Sequence, residues 1–180
     1  MRKVTFLLPV LLLYLGFDAL AQDKHKGPVI PDFGAVWDVP GATFKTDTSG
    51  TLMAVFDIMK SPEDPSKVNP WMETAARFLN MHARAGVNPD QLKVALVVHN
   101  QASTDLLDNV EYQKRFGTPN PNQPLLMALM DFGGQVVFCG QSSFAREVPI
   151  EDTVEGVQLS LSAMTALIQF QNQGYRLIKF

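Results

Sequence analysis

Short apolar segments separated by helical patterns are the feature that most constrains the fold of this chain. Leu52–Ile58 and Leu92–His99 are nearly continuous apolar runs of strand length. Runs of this kind are typical of strands buried on both faces of a parallel sheet. Three shorter segments complete a predicted set of five strands: residues 135–138, 157–161 and 175–178.

Helical patterns follow four of these strands. The sequence predicts helices over residues 70–85, 105–116, 125–131, 143–147 and 163–173, with Asn69 and Ser162 as caps. Parallel neighbouring strands need crossover connections of this length. We therefore expect an α/β domain with a mostly parallel five-stranded sheet and helices on both faces. Its ligand and chemistry sites should lie beyond the carboxyl ends of the strands.

The N-terminus has the pattern of a signal peptide. Arg2 and Lys3 precede an apolar run over residues 4–17, and Ala19-Leu20-Ala21 supplies small residues at a cleavage site. This pattern predicts a signal peptide over residues 1–21 and a periplasmic or secreted protein with no membrane segment after cleavage. Residues 22–50 contain three prolines and no sustained period, so we expect an irregular arm. Residues 51–180 then form the α/β domain. A short strand at residues 34–39 is expected within the arm.

Charge and motifs exclude several classes of function. The chain has 15 basic and 18 acidic residues, for a net charge of −3, and no basic cluster of the kind that binds nucleic acid. It contains no Cys-x-x-Cys pair, no serine nucleophile motif and no glycine loop between a strand and a helix that would hold phosphate. We predict no cofactor and no metal site.

Cys139 is the only cysteine of the chain. Exported proteins normally use cysteines in disulfide pairs, so a lone thiol is buried and inert, joined to another chain, or kept for its reactivity. Cys139 comes at the end of a predicted strand, and a predicted helix start would favour its thiolate form. Gly140 would permit an unusual backbone angle and close approach of another group. The alternative is a buried cysteine that packs as a small apolar side chain.

Five other polar residues lie near the same predicted edge. His99 ends the second strand, where it would take a proton from Cys139 or simply bond loop backbone. Asp57, near the end of the first strand, would orient His99 or bond a loop amide. Two further groups follow Cys139: Gln141 and Ser142 would donate to an anion or cap the helix, and Arg146 would attract an anionic sulfur species or remain a solvated surface arginine.

With these residues, the chain resembles the DsrE/DsrF-like family of sulfur-relay proteins, and most of all its longer, exported members. The resemblance covers most of residues 28–180 and is carried by residues 94–99, 112–117, 120–122, 137–142, 162–167 and 173–175. It is most specific in the combination of Cys139-Gly140-Gln141-Ser142 with Gln173-Gly174-Tyr175. The chain departs from the family by its export signal, its proline-rich arm, and Glu147, where a glycine is expected.

The resemblance implies a single Rossmann-like domain that assembles into trimers or hexamers. It also implies that Cys139 accepts sulfur as a persulfide and passes it to a thiol-bearing partner protein. The leading hypothesis is a sulfane-sulfur carrier or sulfurtransferase-like protein that uses Cys139 and His99. Two alternatives stay open. One is a non-enzymatic oligomer that binds a metal ion or small ligand in the same crevice, and the other is a structural assembly with Cys139 buried.

Overall fold

A computed structural model of the protein describes residues 23–179. The predicted signal peptide therefore lies outside the described residues. Within them, no helix has the length and apolar character needed to cross a membrane.

Five parallel strands form one sheet, which confirms the predicted fold class. In chain order the strands are β1 (Leu52–Ile58), β2 (Leu92–Val98), β3 (Gln135–Cys139), β4 (Gln158–Ser160) and β5 (Arg176–Ile178). Their order in space is β4-β3-β2-β1-β5. Successive strands from β1 to β4 are neighbours, whereas the chain crosses the whole sheet between β4 and β5. All four pairings are parallel.

Five α-helices connect the strands: α1 (Pro70–Arg84), α2 (Asn109–Phe116), α3 (Gln123–Asp131), α4 (Gly140–Arg146) and α5 (Ala163–Asn172). Short 3-10 segments occupy Pro89–Gln91, Asn100–Leu106 and Ile150–Asp152. Asn69 and Ser162 cap α1 and α5 with side-chain oxygens, as predicted. The caps satisfy backbone N–H groups that have no partner inside a helix.

The sheet separates two apolar cores because alternate side chains of a strand point to opposite faces. On one face Phe56, Leu96 and Phe138 pack with residues of α1, α2 and α3. On the other face Val55, Val97 and Val137 pack with residues of α5. Helices on both faces explain why β1 and β2 are apolar at nearly every position.

Several predicted boundaries differ from the structure. The helix predicted over residues 105–116 begins only at Asn109, because the chain first forms a 3-10 segment that ends at Leu106. The helix predicted over residues 143–147 begins at Gly140 and ends at Arg146. The prediction of a short strand at residues 34–39 was wrong, because in this segment only Val36 forms a bridge, an isolated one with His25. These short elements depend on tertiary contacts that local sequence does not specify.

The arm, residues 23–50, contains no helix or strand beyond this bridge and is fastened to α1. The buried Asn80 side chain makes five hydrogen bonds with arm backbone: it accepts from the N–H groups of Val29 and Ile30 and donates to the carbonyls of Ile30, Phe33 and Gly34. At Gly34, with φ +69°, a Cβ atom would lie 2.5 Å from the backbone carbon of Ala76. Only glycine permits this approach of the arm to the helix.

Candidate functional site

Cys139 is the last residue of β3 and the residue that immediately precedes α4. Its side chain lies on the α5 face of the sheet, in the core cluster that contains Val137 and Ala163. Cys139 is 4% exposed. The thiol is therefore beyond the carboxyl end of a central strand, as expected, but is covered in the single chain.

The N-termini of two helices meet at the Cys139 sulfur. Burial raises the pKa of the Cys139 thiol, but hydrogen bonds outweigh it and the pKa lies below its ordinary value. The donors are the Ser142 N–H and hydroxyl, the Ala163 N–H and the Gln141 N–H. Gln141 and Ser142 lie in the first turn of α4, and Ala163 is the first residue of α5. Such donors stabilise a thiolate more than a neutral thiol.

Gly140 allows β4 to approach this site. A Cβ atom at Gly140 would lie 2.6 Å from the carbonyl oxygen of Ser160 and 3.3 Å from that of Leu161. The expectation of an unusual backbone angle was wrong, because Gly140 is the first residue of α4 and has no positive φ. The close approach brings the segment between β4 and α5 against the cysteine, and this explains how Ala163 reaches the sulfur.

Ser142 links Cys139 to the end of β2. Its hydroxyl accepts a hydrogen bond from the Asn100 N–H at 3.0 Å and is among the groups that hold the pKa of Cys139 below its ordinary value. Asn100 has φ 54°, in the left-handed region that asparagine adopts more readily than most residues. The loop after β2 and the first turn of α4 are thus joined by one hydroxyl.

His99 and Asp57 lie side by side on the same face of the sheet. His99 Nε2 is 2.7 Å from Asp57 Oδ1, and Lys179 Nζ is 3.0 Å from Asp57 Oδ2. Burial raises the pKa of Asp57, but hydrogen bonds from His99 and Lys179 outweigh it and hold the pKa below its usual range. His99 bonds to this carboxylate, and it is not among the groups that hydrogen-bond the sulfur.

The two remaining predicted residues differ in their relation to the thiol. The Gln141 side chain donates to the Leu161 carbonyl at 3.3 Å, which ties α4 to the segment before α5. Arg146 is exposed and donates to Asn100 Oδ1. It lines a cavity that does not include Cys139. Gln141 is therefore a direct neighbour of the site, and Arg146 is connected to it only through the loop after β2.

Sequence reasoning missed three participants, namely Ala163, Asn100 and Lys179. The cap at Ser162 was recognised, but its distance from Cys139 depends on the pairing of β4 with β3. Asn100 has a detectable signal, because an asparagine directly after a strand often takes a left-handed conformation. Lys179 meets Asp57 because β5 pairs with β1, which no local pattern indicates.

Metal-binding side chains do not cluster in the described part of the chain. No group of three or more His, Cys, Asp or Glu residues between residues 23 and 179 is placed to hold a metal ion.

Comparison with known proteins decides the family. The model of the DsrE/DsrF-like family matches residues 53–180, well over half of the chain and inclusive of all five strands except Leu52. The chain belongs to the DsrE/DsrF-like family. This confirms the resemblance found in the sequence. The family is associated with sulfur relay, and its members are in general oligomeric.

Two solved structures share the fold of this DsrE/DsrF-like protein. One is a protein of unknown function, MTH1491, from Methanobacterium thermoautotrophicum, with 16% identity and a TM-score of 0.53 over 72% of this chain and 99% of the other. The second is the ychN protein from E. coli, with 18% identity and a TM-score of 0.53 over 72% of this chain and 100% of the other. No curated protein matches the sequence significantly. At these identities the likeness extends to the fold alone.

Proposed function

We propose that this DsrE/DsrF-like protein is a carrier of sulfane sulfur that holds its cargo on Cys139. The observation that carries the proposal is the position of Cys139 at the first turn of α4 and beside Ala163, the first residue of α5, where N–H groups and the Ser142 hydroxyl hold the pKa of the thiol below its ordinary value. These donors favour the thiolate, which is the form of cysteine that attacks sulfur. They are equally suited to stabilise the anion of a persulfide at the same position.

The proposed chemistry consists of two balanced exchanges. The Cys139 thiolate attacks the outer sulfur of a donor persulfide, a new S–S bond forms, and the donor leaves as a thiolate. An acceptor thiolate then attacks the outer sulfur of the Cys139 persulfide, and the Cys139 thiolate leaves. No external oxidant or reductant is consumed, because each step exchanges one S–S bond for another.

His99 has a secondary role in this proposal. Asp57 holds one ring nitrogen, which fixes the orientation of the imidazole at the strand end next to Cys139. The other ring nitrogen is left to exchange a proton with the incoming donor or acceptor thiol. His99→Ala should therefore slow sulfur transfer without removing the sulfur-binding residue.

The limited exposure of Cys139 implies that a cover moves during transfer. The segment at residues 160–162 packs against Gly140, and Gln141 is bonded to Leu161. Movement of this segment would open the sulfur to a partner. Gln141→Ala removes that bond and should speed labelling of the native thiol by iodoacetamide.

The setting of the protein is part of the same proposal. The pattern over residues 1–21 favours export to the periplasm or the medium, where thiol-bearing proteins would serve as sulfur donor and acceptor.

We place the chain in a trimer or hexamer. Exposed apolar side chains on α4, α5 and the segment between β4 and α5 support an interface there: Phe144, Leu161, Met164 and Ile168. Light scattering on the purified protein measures the number of subunits.

The deciding experiment is intact-mass measurement after incubation with polysulfide. The native protein should gain sulfur atoms that a reducing thiol removes, and Cys139→Ser should gain none. His99→Ala should form the adduct more slowly. Absence of any adduct, or an adduct that persists in Cys139→Ser, would contradict the carrier role. A native thiol that no reagent labels would instead support a structural role for Cys139.

A further inference from the structure

A cavity lies at the carboxyl edge of the sheet, on the face opposite Cys139. Its volume is about 400 Å³. The loop after β1, the 3-10 segment after β2, the last turns of α2 and the end of α4 line it. Tyr112, one of its walls, belongs to the core of the α1 face, whereas Cys139 belongs to the core of the α5 face. The cavity is therefore separate from the proposed sulfur site.

Asp105 brings a buried carboxylate to this cavity. It is 2% exposed. Its hydrogen bonds from Ser61 Oγ at 2.9 Å and Asn69 Nδ2 at 2.6 Å both end on Oδ2. No ion pair within residues 23–179 includes Asp105. Oδ1 is thus a carboxylate oxygen on a cavity wall with no donor or cation among the described residues.

A carboxylate in this situation favours a cationic ligand group. Burial raises the pKa of Asp105 to about 6, although hydrogen bonds from Asn69 and Ser61 oppose the rise. Near neutral pH the group is still largely ionised, and an uncompensated buried charge is costly. An ammonium group at Oδ1 would supply both the charge and the missing donor.

Two guanidinium groups line the same cavity and favour an anion. Arg115 projects from α2 and Arg146 from α4. Arg115 forms no ion pair within the described residues, and Arg146 is bonded to the neutral Asn100 side chain. Guanidinium groups match planar carboxylates through paired hydrogen bonds. Pro62 and Phe116 add apolar surface to the wall, and Glu63 adds a second carboxylate beside Pro62.

We propose that this cavity binds a free α-amino acid, with its ammonium group on Asp105 and its carboxylate between Arg115 and Arg146. The Asp105 carboxylate favours a cationic group, and Arg115 and Arg146 favour an anionic group. Together they are complementary to a zwitterion. A volume of about 400 Å³ suits a small molecule of this class. The binding site is independent of Cys139, and it remains if the sulfur-carrier proposal fails.

Calorimetry of the full-length purified protein at neutral pH tests the inference, with each common L-amino acid as a separate probe. We expect at least one to bind. For that amino acid, the matching amine without a carboxylate and the matching acid without an ammonium group should each bind about tenfold more weakly or worse, since each loses a charged hydrogen-bonding group.

Variants separate the two ends of the ligand. Asp105→Asn keeps an acceptor oxygen for Ser61 and Asn69 but removes the charge, so it should weaken amino-acid binding while the deaminated acid binds as before. Arg115→Gln combined with Arg146→Gln should do the reverse and leave binding of the amine unchanged. Cys139→Ser is the matched control and should bind the amino acid like the native protein.

Three results would overturn the inference. One is the absence of binding by every amino acid at about 10 mM, a concentration well above that at which such sites are normally filled. The second is unchanged binding in both Asp105→Asn and the double arginine variant. The third is loss of binding in Cys139→Ser, which would move the ligand to the other face of the sheet.

Discussion

Cys139 and Asp105 are both buried acids, but their pKa values shift in opposite directions. Burial raises the pKa of each group. Three backbone N–H groups and one hydroxyl lower the pKa of Cys139, and together they outweigh its burial. Asp105 receives two hydrogen bonds, from Asn69 and Ser61, and these do not. The number and kind of donors therefore decide which buried acid is ready to act as an anion.

Among residues 23–179, the Ser142 hydroxyl is the side-chain group that lowers the pKa of Cys139. Ser142→Ala should raise the pKa of Cys139, because one stabilising hydrogen bond to the thiolate is lost. Titration of the thiolate absorbance at 240 nm measures the change. Ser143→Ala is the control, since the Ser143 hydroxyl donates to the Val148 carbonyl and is not among the sulfur's donors. Equal titration curves for Ser142→Ala and the native protein would show that the hydroxyl is unimportant.

Asp105 should destabilise the folded state at neutral pH. Its pKa is about 6 when folded, against an ordinary value of 3.8, so the folded state binds the proton more tightly. The contribution is therefore favourable at low pH and is lost as the pH rises from about 4 to about 6. Asp105→Asn should raise the free energy of unfolding at pH 7.5 by about 1–3 kcal/mol and flatten this pH dependence.

Urea denaturation at several pH values checks the Asp105 prediction. Ser61 and Asn69 hydrogen-bond Asp105, and Glu63, Tyr112, Arg115 and Arg146 line the same cavity. The exposed Glu155 offers a control, since Glu155→Gln removes one carboxylate without a buried environment. A lower stability of Asp105→Asn at pH 7.5 would mean that its hydrogen bonds matter more than its charge.

At the scale of elements, both ends of α4 are shaped by the backbone. Gly140 is the first residue of the helix, and a glycine is needed there because a Cβ atom would lie 2.6 Å from the Ser160 carbonyl oxygen. Glu147 ends it in a left-handed conformation, with φ 53° and ψ 50°. Glycine commonly occupies such a position at a helix end. The glycine that the family resemblance led us to expect at this place thus has a physical reason, and this chain carries the strain of a larger residue.

Replacement of Glu147 by glycine should therefore stabilise the protein. The left-handed conformation costs a non-glycine residue about 1–2 kcal/mol, and the greater freedom of glycine in the unfolded chain returns part of the gain. We expect Glu147→Gly to raise the free energy of unfolding by about 0.5–1 kcal/mol. Thermal denaturation measures it. Glu147→Gln removes only the charge, and a similar gain in that variant would assign the effect to charge.

In the molecule as a whole, two segments are placed by contacts between residues far apart in the sequence: the C-terminal strand β5 and the N-terminal arm. The crossing from β4 to β5 places Lys179 beside Asp57 on the far side of β1. The arm returns over α1 and depends on Asn80, whose side chain satisfies backbone groups that otherwise would be buried without partners. The family match begins at residue 53, so the arm lies outside the matched residues.

Asn80→Ala should release the arm from α1. Five hydrogen bonds are lost and several backbone groups keep no partner, so we expect a loss of about 2–4 kcal/mol in the free energy of unfolding. Limited proteolysis should then cut within residues 27–36 before the domain. Asp38→Asn, which weakens the solvent-exposed contact between Asp38 and Arg84, is the control and should change the pattern little. Unchanged protease resistance in Asn80→Ala would show that other contacts hold the arm.

Local pattern was sufficient for the elements with a strong period and clear caps. The run at Leu52–Ile58 and the caps at Asn69 and Ser162 were read correctly, because burial on two faces and unpaired N–H groups leave direct traces in the sequence. Short elements were placed less well. β4 has only three residues, and its limits are set by its pairing with β3. The start of α4 was predicted three residues late, because it depends on the close approach of the Ser160 carbonyl to Gly140.

The α/β architecture, the family and the position of Cys139 at a strand end could all be predicted from the sequence. These follow from periodicity and motif, which act over a few residues. The fold was needed to show that the Ala163 N–H lies at the sulfur, that the thiol is covered, and that His99 bonds to Asp57. Those contacts join residues far apart in the chain, and their formation depends on strand order and on the crossing of the sheet, which no local pattern contains.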